Sequence, residues 1–507
     1  MPAYSTPGVY VVESPLVSLT TNAAGLSAAA FFGEADRGPT EVTLIQDWNT
    51  YRKLYGELAN AFDLGYAVYH YFANGGRAAY IRRVVDAAAT VASATIPFYP
   101  DGDAAASAGL LTASALSKGS WGNDLSVQVT AGNIATTDDV WGTFNLIVSL
   151  SGVEVERWVD VSIDVDANRY IAAVINNYSK FIRVSNINPG LHDPDADLDW
   201  FVTAVALAGG ANTTVTDTDY TTALPDLDGI KGNLILNAVG KVSTTIVSAF
   251  IAKAASRGDS FVVIDPNSAD TSLANIQATA ANFSGLSNGG YAAHYAPMLE
   301  MIDPAKTGSG ARRTTFPGGA VAGLLVRTEV ERSVAKAPAG FLADIRGALG
   351  LTIALTDTQI GTLYDGTPQV NSFKAYPGAG VTVWGARTLN KLNPDKFVNV
   401  RRTLNYLKYS LVGVTEFAVF EPNDERLWNS INMRVSSFLA DFWRSGGLKG
   451  ATATEAFFVV CDSTNNTPSS IDQGVVNVEV GVALSFPAEF IVINLSQWTG
   501  GALAVES

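Results

Sequence analysis

The segment Gly285-Leu286-Ser287-Asn288-Gly289 fits G-x-S-x-G, the turn that presents a nucleophilic serine, and His294 follows it as a candidate base. Such a turn works only between a strand and a helix, where strain exposes the hydroxyl. Residues 279–283 make a poor strand, and a histidine seven residues after the serine is not in the order that fold uses. A glycine loop is the better reading, with a serine hydrolase built on Ser287 as the remote alternative. Asp193, Asp195, Asp197 and Asp199 alternate as the first ligands of a calcium loop do. Leu198 stands where that loop needs glycine and Ala204 where it needs a bidentate glutamate, so a solvated acidic loop fits better.

His70, His192, His294 and Cys461 are too scattered for any zinc spacing. Gly75-Gly76 and Gly318-Gly319 lack the Lys-Ser/Thr that completes a phosphate-cradling loop. Arg257-Gly258-Asp259 reads as a helix stop before an apolar strand, not as a receptor tripeptide. The expectation is a protein without catalytic residues, cofactor or metal. One charged constellation stands out: Lys391, Lys396, Arg401, Arg402 and Lys408 lie within eighteen residues of a chain of net charge −15. They sit on or beside a predicted helix whose apolar face is Phe397, Val400, Leu404 and Leu407. A solvated helix face explains them; a releasable contact with a partner surface is the alternative, since exposed ion pairs contribute only about 0.2–1 kcal/mol each.

The elements that would position these groups are of mixed type. At 507 residues the chain is too long for one core, and 47 % hydrophobic against 16 % charged residues excludes disorder. The acidic balance argues against nucleic acid or an anionic membrane as partner, because like charges repel. A lone cysteine excludes a disulfide framework and suits a reducing cytoplasm. The opening Met1-Pro2-Ala3-Tyr4 carries no signal-peptide pattern, and no apolar run reaches the ~18 residues of a membrane-spanning helix.

Residues 6–13 read as an extended strand, 29–33 as a short buried strand, Trp48–Tyr55 and 65–72 as helices, and 80–85 as another strand. From about residue 86 the texture becomes Ala/Thr/Ser-rich, with β-runs at 125–129 and Phe144–Leu150 and a helix at 170–178, as expected of an insertion. A helix carrying Val242, Ile246 and Phe250 ends by Gly258 and precedes a strand at 261–265. Residues 284–290 and 306–319 are predicted loops. Asn423 is the predicted N-cap of a helix with Leu427, Ile431, Val435, Phe438 and Phe442 on one face. After 456–461 comes a polar loop at 463–472, and β-runs follow at 475–484 and 489–495.

Two groups of motifs match one family. Thr6-Pro7-Gly8-Val9-Tyr10-Val11-Val12-Glu13, Phe31-Phe32-Gly33, Arg37-Gly38-Pro39 and Phe72-Ala73-Asn74-Gly75-Gly76 open the chain. Val383-Trp384-Gly385-Ala386-Arg387-Thr388, Asn399-Val400-Arg401-Arg402 and Val419-Phe420-Glu421-Pro422-Asn423 lie some 300 residues on. In both, the chain resembles contractile phage tail sheath proteins. Lys118-Gly119-Ser120-Trp121-Gly122-Asn123 and Val174-Ile175-Asn176 resemble the family's second, outward-facing domain, and residues 322–328 with Pro338-Ala339-Gly340 its middle one.

The resemblance implies a mixed α/β, multi-domain protein: a discontinuous core of N- and C-terminal parts, an inserted β-rich domain and strand-forming terminal arms. The expected division is 1–20 (arm), 21–90 (core), 91–210 (outer insert), 211–380 (middle α/β), 381–474 (C-terminal core) and 475–507 (C-terminal strands). It implies a structural subunit, not an enzyme, stacked in sixfold rings around a tail tube and bound at its ends by baseplate and tail terminator proteins. A metastable extended state would contract and drive the tube through the host envelope; the sheath of a bacterial contractile injection system is the near alternative. Assembly would occur in the host cytoplasm, without nucleic acid or membrane insertion, and the product would be the virion tail sheath. Thr6, Gly8, Val9, Tyr10, Val11 and Val12, with Phe490, Val492 and Ile493, would form the inter-subunit strand arms. Lys391, Lys396, Arg401, Arg402 and Lys408 would face the tube.

Overall fold

The computed structural model describes residues 25–98, 108–133, 143–187, 203–308, 310–376, 380–392 and 395–489. The arm residues Thr6, Gly8, Val9, Tyr10, Val11, Val12, Phe490, Val492 and Ile493, the acidic run Asp193 to Asp199, and His192 lie outside the described residues. The chain forms two compact units, one of residues 26–406 with the chain from Leu484 onward, the other containing Leu407–Ala483.

The larger unit is organised by a seven-stranded sheet. Its strands lie in the order Val370–Asn371, Ala292–Tyr295, Ser260–Ile264, Leu234–Ala238, Ala28–Gly33, Ala79–Arg83 and Thr43–Ile45. All pairings are parallel except the last. Because side chains alternate across a strand, Ala29 and Phe31 join one apolar cluster while Ala30 and Phe32 join another on the opposite face. Helices Trp48–Tyr55, Leu64–Ala73 and Gly318–Glu331 cover the first face, and Thr244–Arg257 the second. Burial on both faces is why the central strands Ala28–Gly33, Leu234–Ala238 and Ser260–Ile264 are short, largely apolar runs without alternation.

The N-terminal strand Ala28–Gly33 pairs with Leu234–Ala238, which joins residues 21–90 to the middle stretch, and Val383, Ala386 and Val398 from the C-terminal third pack into the same apolar cluster as Ala29 and Phe31. The predicted loop at 306–319 gives way: Arg312–Thr315 is a strand paired with Leu299–Ile302, and Gly318 opens a helix. The glycines there serve close packing, since a Cβ at Gly319 would lie 2.1 Å from the Ala67 carbonyl oxygen and one at Gly323 2.4 Å from that of Tyr71.

The insertion has its own apolar core, running from Ala92 to Leu207. Two antiparallel sheets build it, one of Val205–Ala206, Leu125–Ala131, Phe144–Leu150 and Val153–Val161, the other of Ser93–Phe98, Ala108–Ala115 and Ile182–Ser185. The chain enters and leaves at one place, where Thr90 pairs with Ala211. Beside it Arg83, 2 % exposed, donates to the carbonyls of Ala35, Asp36, Gly38 and Lys118, tying the insertion to the sheet.

In the smaller unit, helix Glu425–Arg444 buries Leu427, Ile431, Val435, Phe438 and Phe442, the face expected from their spacing. Its N-cap is Asp424, not Asn423: Asp424 is extended (φ −134°) and accepts from the amides of Arg426 and Leu427. Asn423 instead receives the Trp428 indole N–H at 2.8 Å. Phe457–Val460 and Glu479–Val482 form an antiparallel sheet of two strands among the described residues. The predicted polar loop at 463–472 contains the short helix Pro468–Asp472.

Candidate functional site

The chemical candidates are not assembled. Ser287 is exposed and follows a helix, Leu273–Ala281, where a nucleophile turn needs a strand. His294 is fully buried in strand Ala292–Tyr295 with its ring edge on Phe283, and burial lowers its pKa to about 4. Among the described residues no group of three His, Cys, Asp or Glu side chains could hold a metal ion, and no helix is long and apolar enough to cross a membrane.

The basic constellation divides into buried and exposed parts. Helix Val398–Thr415 begins in the larger unit and ends in the smaller. Its residues Val400 and Leu407 are buried, as the apolar face requires. Arg402 is buried as well: it pairs with Glu329 at 2.7 Å, and the two side chains are 5 % and 6 % exposed. It also donates to Ser27 Oγ, while the Ser27 amide donates to the other oxygen of Glu329. Arg401 pairs with Asp395 and stacks on Tyr291 with 4.4 Å from guanidinium to ring centre. Lys391 and Lys408 are exposed, and Lys396 is half-buried over the Phe397 ring. Arg402 therefore cannot present its charge outward; the lysines can.

A second buried ion pair, invisible as a motif, holds the other end of the chain. Arg387, with its side chain 5 % exposed, grips Glu489 through two bonds of 3.0 and 2.6 Å and lies 3.8 Å from the centre of the Tyr364 ring. The Tyr364 hydroxyl donates to the same carboxylate. Burial alone would raise the Glu489 pKa, but the Arg387 and Tyr364 bonds hold it below the ordinary value. Asn399 donates to the Ser485 carbonyl, and Phe486 packs its ring against Phe397. Ser27 and residues 485–489 adjoin the two segments expected to be arms, so both described chain ends are fixed in the larger unit by buried Arg–Glu pairs.

The smaller unit leaves apolar surface open. Its two-stranded sheet is half-exposed, with Phe458 52 % exposed. Beside it runs a groove of about 760 Å³ whose walls include Val412, Ile431, Val435, Val476 and Val480, and whose rim carries the fully exposed Phe420. Two-stranded sheets are marginal alone in water and gain stability from further strands.

Comparison with known proteins gives this arrangement a class. Residues 393–497 match the family described as the phage tail sheath C-terminal domain, which contains the open sheet and groove. The tail sheath protein of Vibrio phage KVP40 is 29 % identical over 178 residues, covering 35 % of this chain and 25 % of that protein. The tail sheath protein of Enterobacteria phage T4 is 27 % identical over 184 residues, covering 36 % and 27 %. The chain spans about a quarter of the length of the curated relatives it matches.

The fold is shared more widely. The contracted sheath complex of an extracellular contractile injection system, PVC, superposes with a TM-score of 0.58 at 20 % identity, covering 98 % of this chain and 99 % of that one. The contracted helical sheath of the anti-feeding prophage gives 0.58 at 18 %, covering 98 % and 100 %. A sheath tail protein from Listeria innocua gives 0.61 at 15 %, covering 92 % and 96 %. The fold is thus that of sheath subunits. The resemblance to contractile phage tail sheath proteins drawn from the sequence is borne out.

Proposed function

We propose that the chain is a structural, non-catalytic subunit of a contractile tail sheath, polymerising around a tail tube in a metastable extended state and contracting to drive the tube through a host envelope. The observation that carries this reading is the half-exposed two-stranded sheet inside the segment that matches the sheath C-terminal domain. Residues 6–12 of one neighbour and 490–493 of another would add strands to it, which is β-augmentation used as a link between subunits. With net contributions of about 0.5–1.5 kcal/mol per hydrogen bond, four or so bonds give a few kcal/mol per link. Each subunit would stay tethered while it rotates, and a kinetic barrier would keep the extended state from relaxing. Partners would be other copies in sixfold rings, the tube, and the baseplate and terminator proteins at the ends. The product would be a virion tail sheath assembled in the host cytoplasm.

Lys391, Lys396 and Lys408 remain the proposed tube-facing charges, with Arg402 set aside because it is spent on Glu329 and Arg401 because it is paired with Asp395. Injection-system sheaths that superpose over 98 % of the chain support a second reading, the sheath of a bacterial contractile injection system. Electron microscopy of the purified protein tests the common core of both: rings or tubes are expected without any cofactor. A monodisperse monomer across a wide concentration range overturns them.

A further inference from the structure

A pocket of about 480 Å³ opens where the insertion meets the seven-stranded unit, and its charge is opposite to that of the chain as a whole. Four cations line it, Arg37 and Lys53 from the sheet side and Arg157 and Lys180 from the insertion, against a single carboxylate, Glu156. In a chain with 48 acidic and 33 basic side chains this is a local inversion of sign. Arg157 is committed to Glu154 through bonds of 2.8 and 2.6 Å. Glu156 is engaged too, accepting from Ser179 Oγ, the Lys180 amide and the Trp158 indole N–H.

The other three cations have no ion-pair partner or side-chain hydrogen-bond acceptor among the described residues. Arg37 is the most anomalous. Its guanidinium lies 4.7 Å from the ring centre of Phe181 and 5.8 Å from that of Trp121, and its Nη1 is buried without a partner. Burial pulls its pKa below the ordinary value, with Asp36 and Glu57 opposing. The rest of the guanidinium is only half-buried and lines the pocket without a carboxylate against it, so an anion there would give it a charge-assisted partner. Aromatic surface completes the lining: Trp158, Phe181, and Tyr178 at 70 % exposure.

We infer that this pocket binds a single acidic sugar, its carboxylate or phosphate taken by Arg37, Lys53 and Lys180 and its ring stacked on Tyr178 or Trp158. The volume is that of a small-ligand site, where a few polar groups orient a body packed on aromatic walls. A long polyanion is disfavoured because the net negative charge of the chain repels it outside the pocket. The inference does not depend on the sheath reading.

Calorimetric titration of the full chain with glucuronate, glucose 6-phosphate, inorganic phosphate and glucose tests it. The two acidic sugars should bind, and glucose should bind about tenfold more weakly or not at all. The double variant Lys53→Gln/Lys180→Gln changes two exposed side chains, so it should melt like the parent and lose the acidic sugars. Tyr178→Ala should weaken both sugars. Absence of binding by the parent, or undiminished binding by the well-folded double variant, overturns the proposal. Inorganic phosphate binding as tightly as glucose 6-phosphate overturns the stacking role. An oligogalacturonate that binds more tightly than its monomer overturns the assignment to a single sugar.

Discussion

The two units solve the edge problem of a β-sheet differently. In the larger one every residue of strands Leu234–Ala238 and Ser260–Ile264 is buried, and helices cover both faces. In the smaller one no residue of Phe457–Val460 or Glu479–Val482 is fully buried. The first sheet has both faces covered within its own chain. Among the described residues the second has only two strands, and exposed sheet edges invite pairing with other strands. Stability and assembly should therefore be separable by mutation, with stability residing in the larger unit and assembly in the smaller.

Arg402→Ala should have the largest effect on folding. Removing one partner of a buried pair leaves Glu329 charged and unpaired, a loss of about 3–5 kcal/mol. Thermal or urea unfolding should show it, and a change below ~1 kcal/mol would mean that Arg402 is more solvated than its burial indicates.

Acid should come next, and it should act on the larger unit. Burial lowers the pKa of both His70 and His294 to about 4. Unfolded imidazole titrates near 6.5, so the stability is intact above that pH and falls as pH drops toward 4. Asp265 opposes this: burial raises its pKa to about 6 despite the bonds from Asn237, Gly240 and Gly318, so folding takes up its proton below that pH. Two groups against one leave a net loss on the order of 3 kcal/mol between pH 7 and pH 4. His294→Leu should flatten the acid limb of a pH–stability curve, and an unchanged limb removes that histidine from the account. Residues 407–483 contain no histidine, so earlier acid melting there would break the contrast between the units.

Replacing residues 91–210 by a short linker should cost about 2–3 kcal/mol, since Arg83 loses the Lys118 acceptor, the Gly38 amide loses Ser117 Oγ and Arg37 loses the Trp121 and Phe181 rings. Assembly into rings or tubes should survive, since the insertion has its own core. Loss of polymer by a folded variant would place the insertion in the lattice. Deleting residues 1–13 should leave the melting curve of the subunit unchanged within ~0.5 kcal/mol and abolish tubes. A lost cooperative melt would assign that segment to its own subunit's core. The smallest effect on folding belongs to Lys391→Glu with Lys408→Glu, two exposed sites where ~0.5 kcal/mol is the ceiling. Co-sedimentation with tail tubes at low salt should still weaken, because the Debye length is longest there. Undiminished binding by this variant sinks the tube-facing role.

How much of this was legible in sequence follows from how local each signal is. Helix Trp48–Tyr55, strand Phe144–Leu150 and the apolar face of Glu425–Arg444 could be read because periodicity is written in neighbouring residues. Arg312–Thr315 was missed because Arg-Arg-Thr-Thr is a largely exposed strand with no apolar pattern. Gly318 and Gly319 look like a loop, but the helix needs their small size, Gly318 where it meets Asn237 and Asp265 and Gly319 where it meets Ala67. The site was least legible. Arg402 finds Glu329 across 73 positions and Arg387 finds Glu489 across 102, and no spacing rule connects such partners. The only sequence signal was that Arg387 and Arg402 each sit within a motif shared with the sheath family.

The strand order also sets a timetable for synthesis. Ala28–Gly33 lies inside the sheet, but its partner Leu234–Ala238 is about 200 residues further along the chain. At roughly 5–20 residues per second, a ribosome takes some 10–40 s to deliver it. During that interval Ala79–Arg83 can pair with one edge of Ala28–Gly33 while the other edge stays bare. The insertion is made in the same interval, and its antiparallel sheets use nearby partners, so it can close while the larger sheet waits. A nascent chain stalled before residue 234 should then carry a folded insertion on an unfinished sheet, and in that window an apolar strand edge is open to any neighbouring nascent copy.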